Sequence, residues 1–131
     1  MERQILKWVE IAQKELNCFK DIKYTIEYVK RLMYADLLNY QELSDERGVV
    51  AWIIIPDFQG NMICSELFMY IKPEYRNIKA LNEIIQIMEQ AAEKNSCKFV
   101  MIGANIGYRD DKLLKILSRY GYKPDTVKKE I

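Results

Sequence analysis

Glu66, Arg76 and Lys79 stand close together in the stretch SELFMYIKPEYRNIKALNEII, Ser65–Ile85. The apolar segment before Lys72-Pro73 reads as a strand, and the amphipathic segment after Arg76 reads as a helix. A helix start leaves backbone N–H groups unpaired at the positive end of its dipole, so it can take an anion. Arg76 and Lys79 add positive charge there, Lys79 as a point charge. On the strand, period-two alternation puts Leu67, Met69 and Ile71 on one side and Glu66, Phe68 and Tyr70 on the other. A carboxylate among aromatic rings is expected to have a raised pKa, which suits a general base. The chain has no histidine, which removes Ser–His and Cys–His couples and histidine-ligated metal sites. Proton transfer is left to carboxylates, tyrosines, lysines, thiols or water. Cys18, Cys64 and Cys97 are odd in number and widely spaced. They make neither a zinc pattern nor a disulfide framework and read as small buried thiols, so no metal is expected.

Several elements must hold these residues. Ile5, Leu6, Trp8, Val9, Ala12 and Leu16 recur at helical spacing and predict a helix over residues 2–16. Thr25 is the expected N-cap of a second helix ending near Leu38. LNYQEL is a candidate short strand. After a polar turn from Ser44 to Gly48, the β-branched run Val49–Ile55 predicts a strand buried on both faces. Pro56 and DFQGN turn the chain into a strand over Met62–Ile71, forming an antiparallel meander or hairpin. Ala80, Leu81, Ile84, Ile85, Met88, Ala91 and Ala92 share one face of a helix over residues 77–94, with Glu83, Gln86 and Glu89 facing water. Lys98–Gly103 is the next strand. Asp110 or Asp111 caps a helix to Tyr120, Gly121 is its left-handed cap, and DTVKKEI is a last strand. The alternation predicts one α/β domain, residues 1–131, with a mixed, mainly antiparallel sheet and helices on both faces.

The block ELFMYIKPEYR, the helix after it, CKFVMIG and LLKILSRYGYKP together resemble the GNAT superfamily of N-acetyltransferases. The pieces that carry the resemblance are Ile71-Lys72-Pro73-Glu74-Tyr75-Arg76, Lys98–Gly103 and Gly121-Tyr122-Lys123-Pro124. It covers Val49 to Ile131. IPDF, PEYR and VKKEI look most like small GNAT-like proteins of phages and prophages. The family's usual first strand is expected to be absent, since the chain opens directly with a helix.

The resemblance implies that the Met62–Ile71 and Lys98–Gly103 strands are parallel neighbours that splay apart, with the pantetheine arm of acetyl-CoA between them. Backbone groups of Met69, Tyr70 and Ile71 would meet that arm. The pyrophosphate would lie over Arg76, Asn77, Ile78, Lys79, Ala80 and Leu81, which align with the family pattern Arg/Gln-x-x-Gly-x-Gly/Ala. Both small positions are replaced here, by Lys79 and Leu81, and no glycine occurs between Gly60 and Gly103. The turn therefore reads either as a cradle without glycine or as an ordinary helix start. Glu66 falls where many family members carry the base. Leu117 falls where the family has an acidic tyrosine, leaving Tyr108 and Tyr120 as substitutes.

Two functions remain open: an acetyl-CoA-dependent N-acetyltransferase acting on an amine, or a non-catalytic module of the same fold that binds a protein partner, with or without coenzyme A. Trp8, Trp52 or Tyr40 would supply an apolar patch for the second. The family's frequent homodimers add a copy of the chain as a candidate partner. The net charge of +1 gives no field for nucleic acid or membrane, and KDIKYTIEYVKR is explained as an amphipathic helix rather than a nucleic-acid surface. No run is long enough to span a bilayer and the start lacks a signal-peptide core, so the expected location is the cytoplasm.

Overall fold

The computed structural model describes residues 2–103, 110–124, 129 and 131. The first helix, α1, is Glu2–Leu16, as its periodicity predicts. It buries Ile5, Trp8, Val9 and Ala12 on one stripe. The second, α2, is Ile22–Tyr34. Its cap is Asp21 rather than Thr25: the Asp21 carboxylate accepts from Tyr24 N at 3.1 Å. Thr25 instead lies in the first turn and donates its hydroxyl to the Asp21 carbonyl at 3.3 Å. The helix stops short of Leu38 because Asp36 turns left-handed at φ 58 and Leu37 N closes onto Leu32 O at 2.9 Å. No residue of α2 is fully buried.

Four strands form one sheet in the order β1-β2-β3-β4. They are β1 Asn39–Glu42, β2 Gly48–Pro56, β3 Met62–Ile71 and β4 Phe99–Met101. LNYQEL thus does contain a strand. The pairs β1–β2 and β2–β3 are antiparallel, and β3–β4 is parallel. The hairpin between β2 and β3 turns on Asp57, whose Oδ1 accepts from Gln59 N and Asn61 N at 2.9 Å each, with Gly60 at φ 86. Gly48 is required by space. A Cβ there would stand 2.2 Å from the Tyr70 carbonyl oxygen. Burial on both faces holds for Val49–Trp52, whereas Ile53–Ile55 are half-buried.

The register of β2 and β3 slips between Ala51 and Trp52. Ala51 faces Phe68 and Trp52 faces Glu66, so Leu67 is the extra residue of a bulge. The bulge overturns the simple alternation expected for β3. Leu67 joins Phe68 and Tyr70 on the α1 side. Glu66 lies on the opposite side with its register partner Trp52, which belongs to the cluster of Met69 and Ile71.

The third helix, α3, is Ile78–Lys94, capped by Asn77, and crosses from β3 to the parallel β4. Leu81, Ile84, Ile85 and Met88 are buried as predicted. Of the polar trio, Gln86 and Glu89 are exposed, but Glu83 is half-buried and accepts from Ser44 N at 2.9 Å and Ser44 Oγ at 2.7 Å. Glu89 accepts from the Tyr122 hydroxyl at 2.8 Å. The fourth helix, α4, begins at Asp110 itself and ends at Ser118. Gly121 is left-handed at φ 89, and Tyr122 N closes onto Leu117 O at 3.2 Å. The DTVKKEI strand falls almost wholly outside the described residues.

The sheet separates two cores. Val50, Trp52, Cys64, Met69 and Ile71 pack with α3 and with Leu113 and Leu117 of α4. Val49, Ala51, Phe68 and Tyr70 pack with α1 and, more loosely, with Val29 and Met33 of α2. Both tryptophans are core residues, so neither feeds a surface patch. Cys64 is buried and Cys97 half-buried, but Cys18 is exposed, against expectation. Among the described residues no helix is long and apolar enough to cross a membrane.

Candidate functional site

Among the described residues the parallel pair β3–β4 is in register at Ile63–Phe99, Cys64–Val100 and Ser65–Met101, with Lys98 N donating to Met62 O at 2.8 Å just before it. Beyond Ser65, β3 runs on to Ile71 with no strand on that edge among the described residues. The described pairing therefore ends at Ser65, where the expected splay begins, and β4 is shorter than Lys98–Gly103.

The three backbone residues expected along this opening are not equivalent. The Tyr70 carbonyl points at Gly48 on β2. Along a strand the hydrogen-bonding direction alternates residue by residue. Tyr70 therefore serves the β2 ladder, while Met69 and Ile71 address the open edge. Of these, the Ile71 carbonyl already accepts from Arg76 Nε at 2.8 Å.

Arg76 is held elsewhere than expected. Its Nη2 meets Glu15 Oε1 at 2.5 Å and its Nη1 meets Glu15 Oε2 at 3.3 Å. The guanidinium lies 5.4 Å from the centroid of the Tyr70 ring, and the Tyr70 hydroxyl donates to Glu15 Oε1 at 2.6 Å. This network ties the last turn of α1 to the turn before α3. The Arg76 guanidinium holds the Glu15 carboxyl below its ordinary range, against an opposing effect of desolvation and with help from the Tyr70 hydroxyl. Burial, and then the bond to Glu15, pushes Tyr70 up to about 12. Glu15 has no counterpart among the residues picked from sequence. Its spacing was a usable signal: Ile5, Trp8, Ala12 and Glu15 fall three, four and three residues apart, so a carboxylate ends the buried stripe.

At the α3 start, Asn77 Oδ1 accepts from Ala80 N at 3.1 Å, and Leu81 N turns to Asn77 O at 3.3 Å. The N–H groups of Ile78 and Lys79, in the first turn, lack an intrahelical acceptor. Asn77, Ile78 and Lys79 are exposed, whereas Ala80 and Leu81 point into the core. Leu81 thus packs beneath the turn and does not project outward from it. Lys79 makes no ion pair among the described residues.

Glu66, at the opening of the splay, reaches across it: Oε1 accepts from Gly103 N at 3.1 Å. It does not share a face with Phe68 and Tyr70; the aromatic residue across the ladder from it is Trp52. Leu117 is core. Tyr120 is exposed. Tyr122 is committed to Glu89, and burial followed by that bond pushes its pKa up. Tyr108 lies outside the described residues. No group of three or more His, Cys, Asp or Glu that could hold a metal occurs among the described residues. A shallow hollow at the α1–α2 turn, lined by Phe19, Lys20, Asp21, Ile22 and Tyr24 among others, contains none of the candidate catalytic or cofactor-binding residues.

No family model and no curated protein matches the chain. Solved structures do. The chain is similar to AAC(6')-Iy in complex with the bisubstrate analogue CoA-S-monomethyl-acetylneamine, with 13% identity, TM-score 0.74, and 100% of this chain and 93% of that one covered. It is similar to an acetyltransferase of Trypanosoma brucei, with 12% identity, TM-score 0.73 and coverage of 100% and 94%. It is similar to a predicted acetyltransferase of Clostridium acetobutylicum with acetyl-CoA, with 14% identity, TM-score 0.71 and coverage of 100% and 91%. With its splayed parallel pair, its crossover helix and its mixed sheet between two helical layers, the chain has the fold of the GNAT acetyltransferases.

Proposed function

We propose that this protein is an acetyl-CoA-dependent N-acetyltransferase acting on an amine. The observation that carries the reading is the opening between β3 and β4 beyond Ser65, with the exposed start of α3 beside it. The open edge at Met69, the N–H groups of Ile78 and Lys79, and the Lys79 ammonium together suit an extended thioester ending in a pyrophosphate. Leu81, buried under the turn, does not project outward to block it. Acetyl-CoA supplies an activated acyl carbon and a thiolate leaving group. In this reading Glu66 takes the proton that the attacking amine loses as the C–N bond forms and the C–S bond breaks. Leu117, in the core, cannot return a proton to the sulfur, so that proton comes from water or an exposed tyrosine. General acid help is worth roughly 100- to 10,000-fold, so a slow enzyme is expected.

A thermal-shift titration with acetyl-CoA tests occupancy, since a ligand of the folded form raises the melting temperature. Free thiol release on adding amines tests turnover. Absence of any shift at millimolar acetyl-CoA would end this reading. A second reading, a binding module without catalysis, is favoured by one observation: the position of the usual acid is a buried leucine. Coenzyme A binding without thiol release across a panel of amines and peptide N-termini would select it.

A further inference from the structure

We propose that Glu15 is an internal counter-ion of the turn before α3, withholding the Arg76 guanidinium from any anion bound there and so setting the affinity of that site. The inference rests on the coenzyme A reading for its ligand, and on the geometry of α1 for its mechanism.

Arg76 directly precedes the helix cap Asn77, two residues before Ile78, whose free N–H opens the helix. Yet its guanidinium is turned back under the end of β3. Three of its donors are spent, one on Ile71 O at 2.8 Å and two on the Glu15 carboxylate at 2.5 and 3.3 Å. The side chains of Arg76 and Glu15 retain 18% and 29% of their exposure, so the pair is neither fully solvated nor sealed off. The Tyr70 hydroxyl fixes the carboxylate from the other side at 2.6 Å, and the Tyr70 ring underlies the guanidinium. A guanidinium matched to a carboxylate in this way presents little net charge to a third group. A phosphate oxygen seeking Arg76 must displace Glu15, which α1 holds from the far side of the sheet.

The other nearby cations do not make up the loss. Arg47 pairs with Asp45 at 3.4 Å and lies over the Tyr75 ring, and the Lys72 ammonium lies over Trp8. Lys79 is left as the cation of the turn without an ion pair among the described residues. The site is therefore electrostatically understated: two cations stand in its sequence, and one is cancelled from a helix 61 residues away.

The test is the variant Glu15→Gln, which keeps the length of the side chain and one acceptor oxygen for the Tyr70 hydroxyl but removes the charge and breaks the two-oxygen pairing with Arg76. Binding of coenzyme A, inorganic pyrophosphate and pantetheine is measured by calorimetry at two ionic strengths. One freed charge-assisted contact should tighten coenzyme A about tenfold, steepen its salt dependence, and tighten pyrophosphate in the same sense. Pantetheine, which lacks phosphates, should bind as before. In Glu15→Gln/Arg76→Gln the gain should vanish. Unchanged or weaker coenzyme A binding in a folded Glu15→Gln protein would overturn the proposal, as would a gain that survives loss of Arg76. Tighter pyrophosphate without coenzyme A binding by any form would support the counter-ion and refute the coenzyme A reading instead. Should Glu15→Gln not fold, Glu15→Met, of similar volume, carries the same comparison.

Discussion

Replacing Gly48 by alanine is the sharpest test of how the sheet places the site. Gly48 pairs with Ile71, and a Cβ there would stand 2.2 Å from Tyr70 O, 3.0 Å from Ile71 Cα and 3.2 Å from Tyr70 C. All three are backbone atoms, so no side chain can swing aside. Relief requires β2 and β3 to part locally by about 1 Å, out of a normal spacing of about 4.8 Å. The region is fully packed: Val49, Val50, Met69, Tyr70 and Ile71 each keep 1% exposure or less. Overpacking of this kind costs about 1–3 kcal/mol. Weakened bonds such as Leu43 N to Gly48 O and Lys72 N to Arg47 O add about 1 kcal/mol each. The expected destabilisation is about 3–5 kcal/mol, a shift of roughly 10 to 15 °C in melting temperature for a chain of this length. Urea unfolding should show a lower midpoint with an unchanged slope. Gly60→Ala is the contrasting control. Gly60 has positive φ but nothing within 4 Å, so it should cost only about 1–2 kcal/mol of backbone strain. A Gly48→Ala protein as stable as wild type, or more stable than Gly60→Ala, would refute the close approach and the register built on it.

Further outcomes follow from the same geometry. Lys79→Glu should weaken coenzyme A binding at least tenfold at low salt, with the gap closing as salt rises; calorimetry across ionic strength checks this. Glu66→Gln should lower amine acetylation about 100-fold or more at neutral pH with folding intact, and equal turnover across pH 6–9 would remove Glu66 from proton transfer. Asp21→Ala should cost about 1 kcal/mol through loss of the α2 cap, read by urea midpoint. Stability should also depend on pH at both extremes. Glu15 is held low by Arg76, so its contribution is present above the ordinary carboxylate pKa and lost as pH falls through its lowered value; Glu15→Gln should flatten that acid limb. Tyr70 sits near 12, so its contribution is intact below about pH 10 and lost as pH rises towards 12. Unfolding midpoints against pH, with tyrosinate absorbance, check both limbs.

The extents of the elements with long apolar patterns were legible to the residue. Helix α1 and strand β3 begin and end where the pattern of their apolar residues does, and the buried face of α3 follows from spacing alone. Boundaries set by competition between similar signals were not. Asp21 and Thr25 both suit a cap, and the structure uses Asp21. The face of Glu66 was misread because a bulge at Leu67 inverts the alternation, and a bulge depends on two strands jointly rather than on either sequence. The fate of Arg76 was hidden for a similar reason: its partner lies on α1, and a pairing over that separation has no local trace beyond a carboxylate at the end of an apolar stripe. Fold and the place of the opening were thus readable, while the charge state of the turn was not.

A phosphate turn without glycine is physically admissible here, and the structure shows at what cost. Glycine serves such a turn in two ways, by adopting positive φ and by leaving room. The first is not needed: no residue from Arg76 to Leu81 has positive φ, and Asn77 enters the helix from extended backbone at φ −138. The second depends on where side chains point. Ala80 and Leu81 face the core, so the loss of a small residue at 81 does not crowd the surface. The side chains that do stand outward are Ile78 and Lys79. Lys79 replaces the remaining small position with a group that obstructs close approach of the backbone yet attracts the ligand. With Ala80 N engaged by Asn77 and Arg76 engaged by Glu15, an anion bound here would find fewer short backbone contacts and would lean more on the exposed Lys79 ammonium. Geometry is short-ranged and insensitive to salt, whereas an exposed point charge is screened over about 8 Å at physiological ionic strength. Binding at this turn should therefore be more salt-dependent than binding at a glycine-built cradle of the same fold, and that difference is the physical signature of the substitution at Lys79.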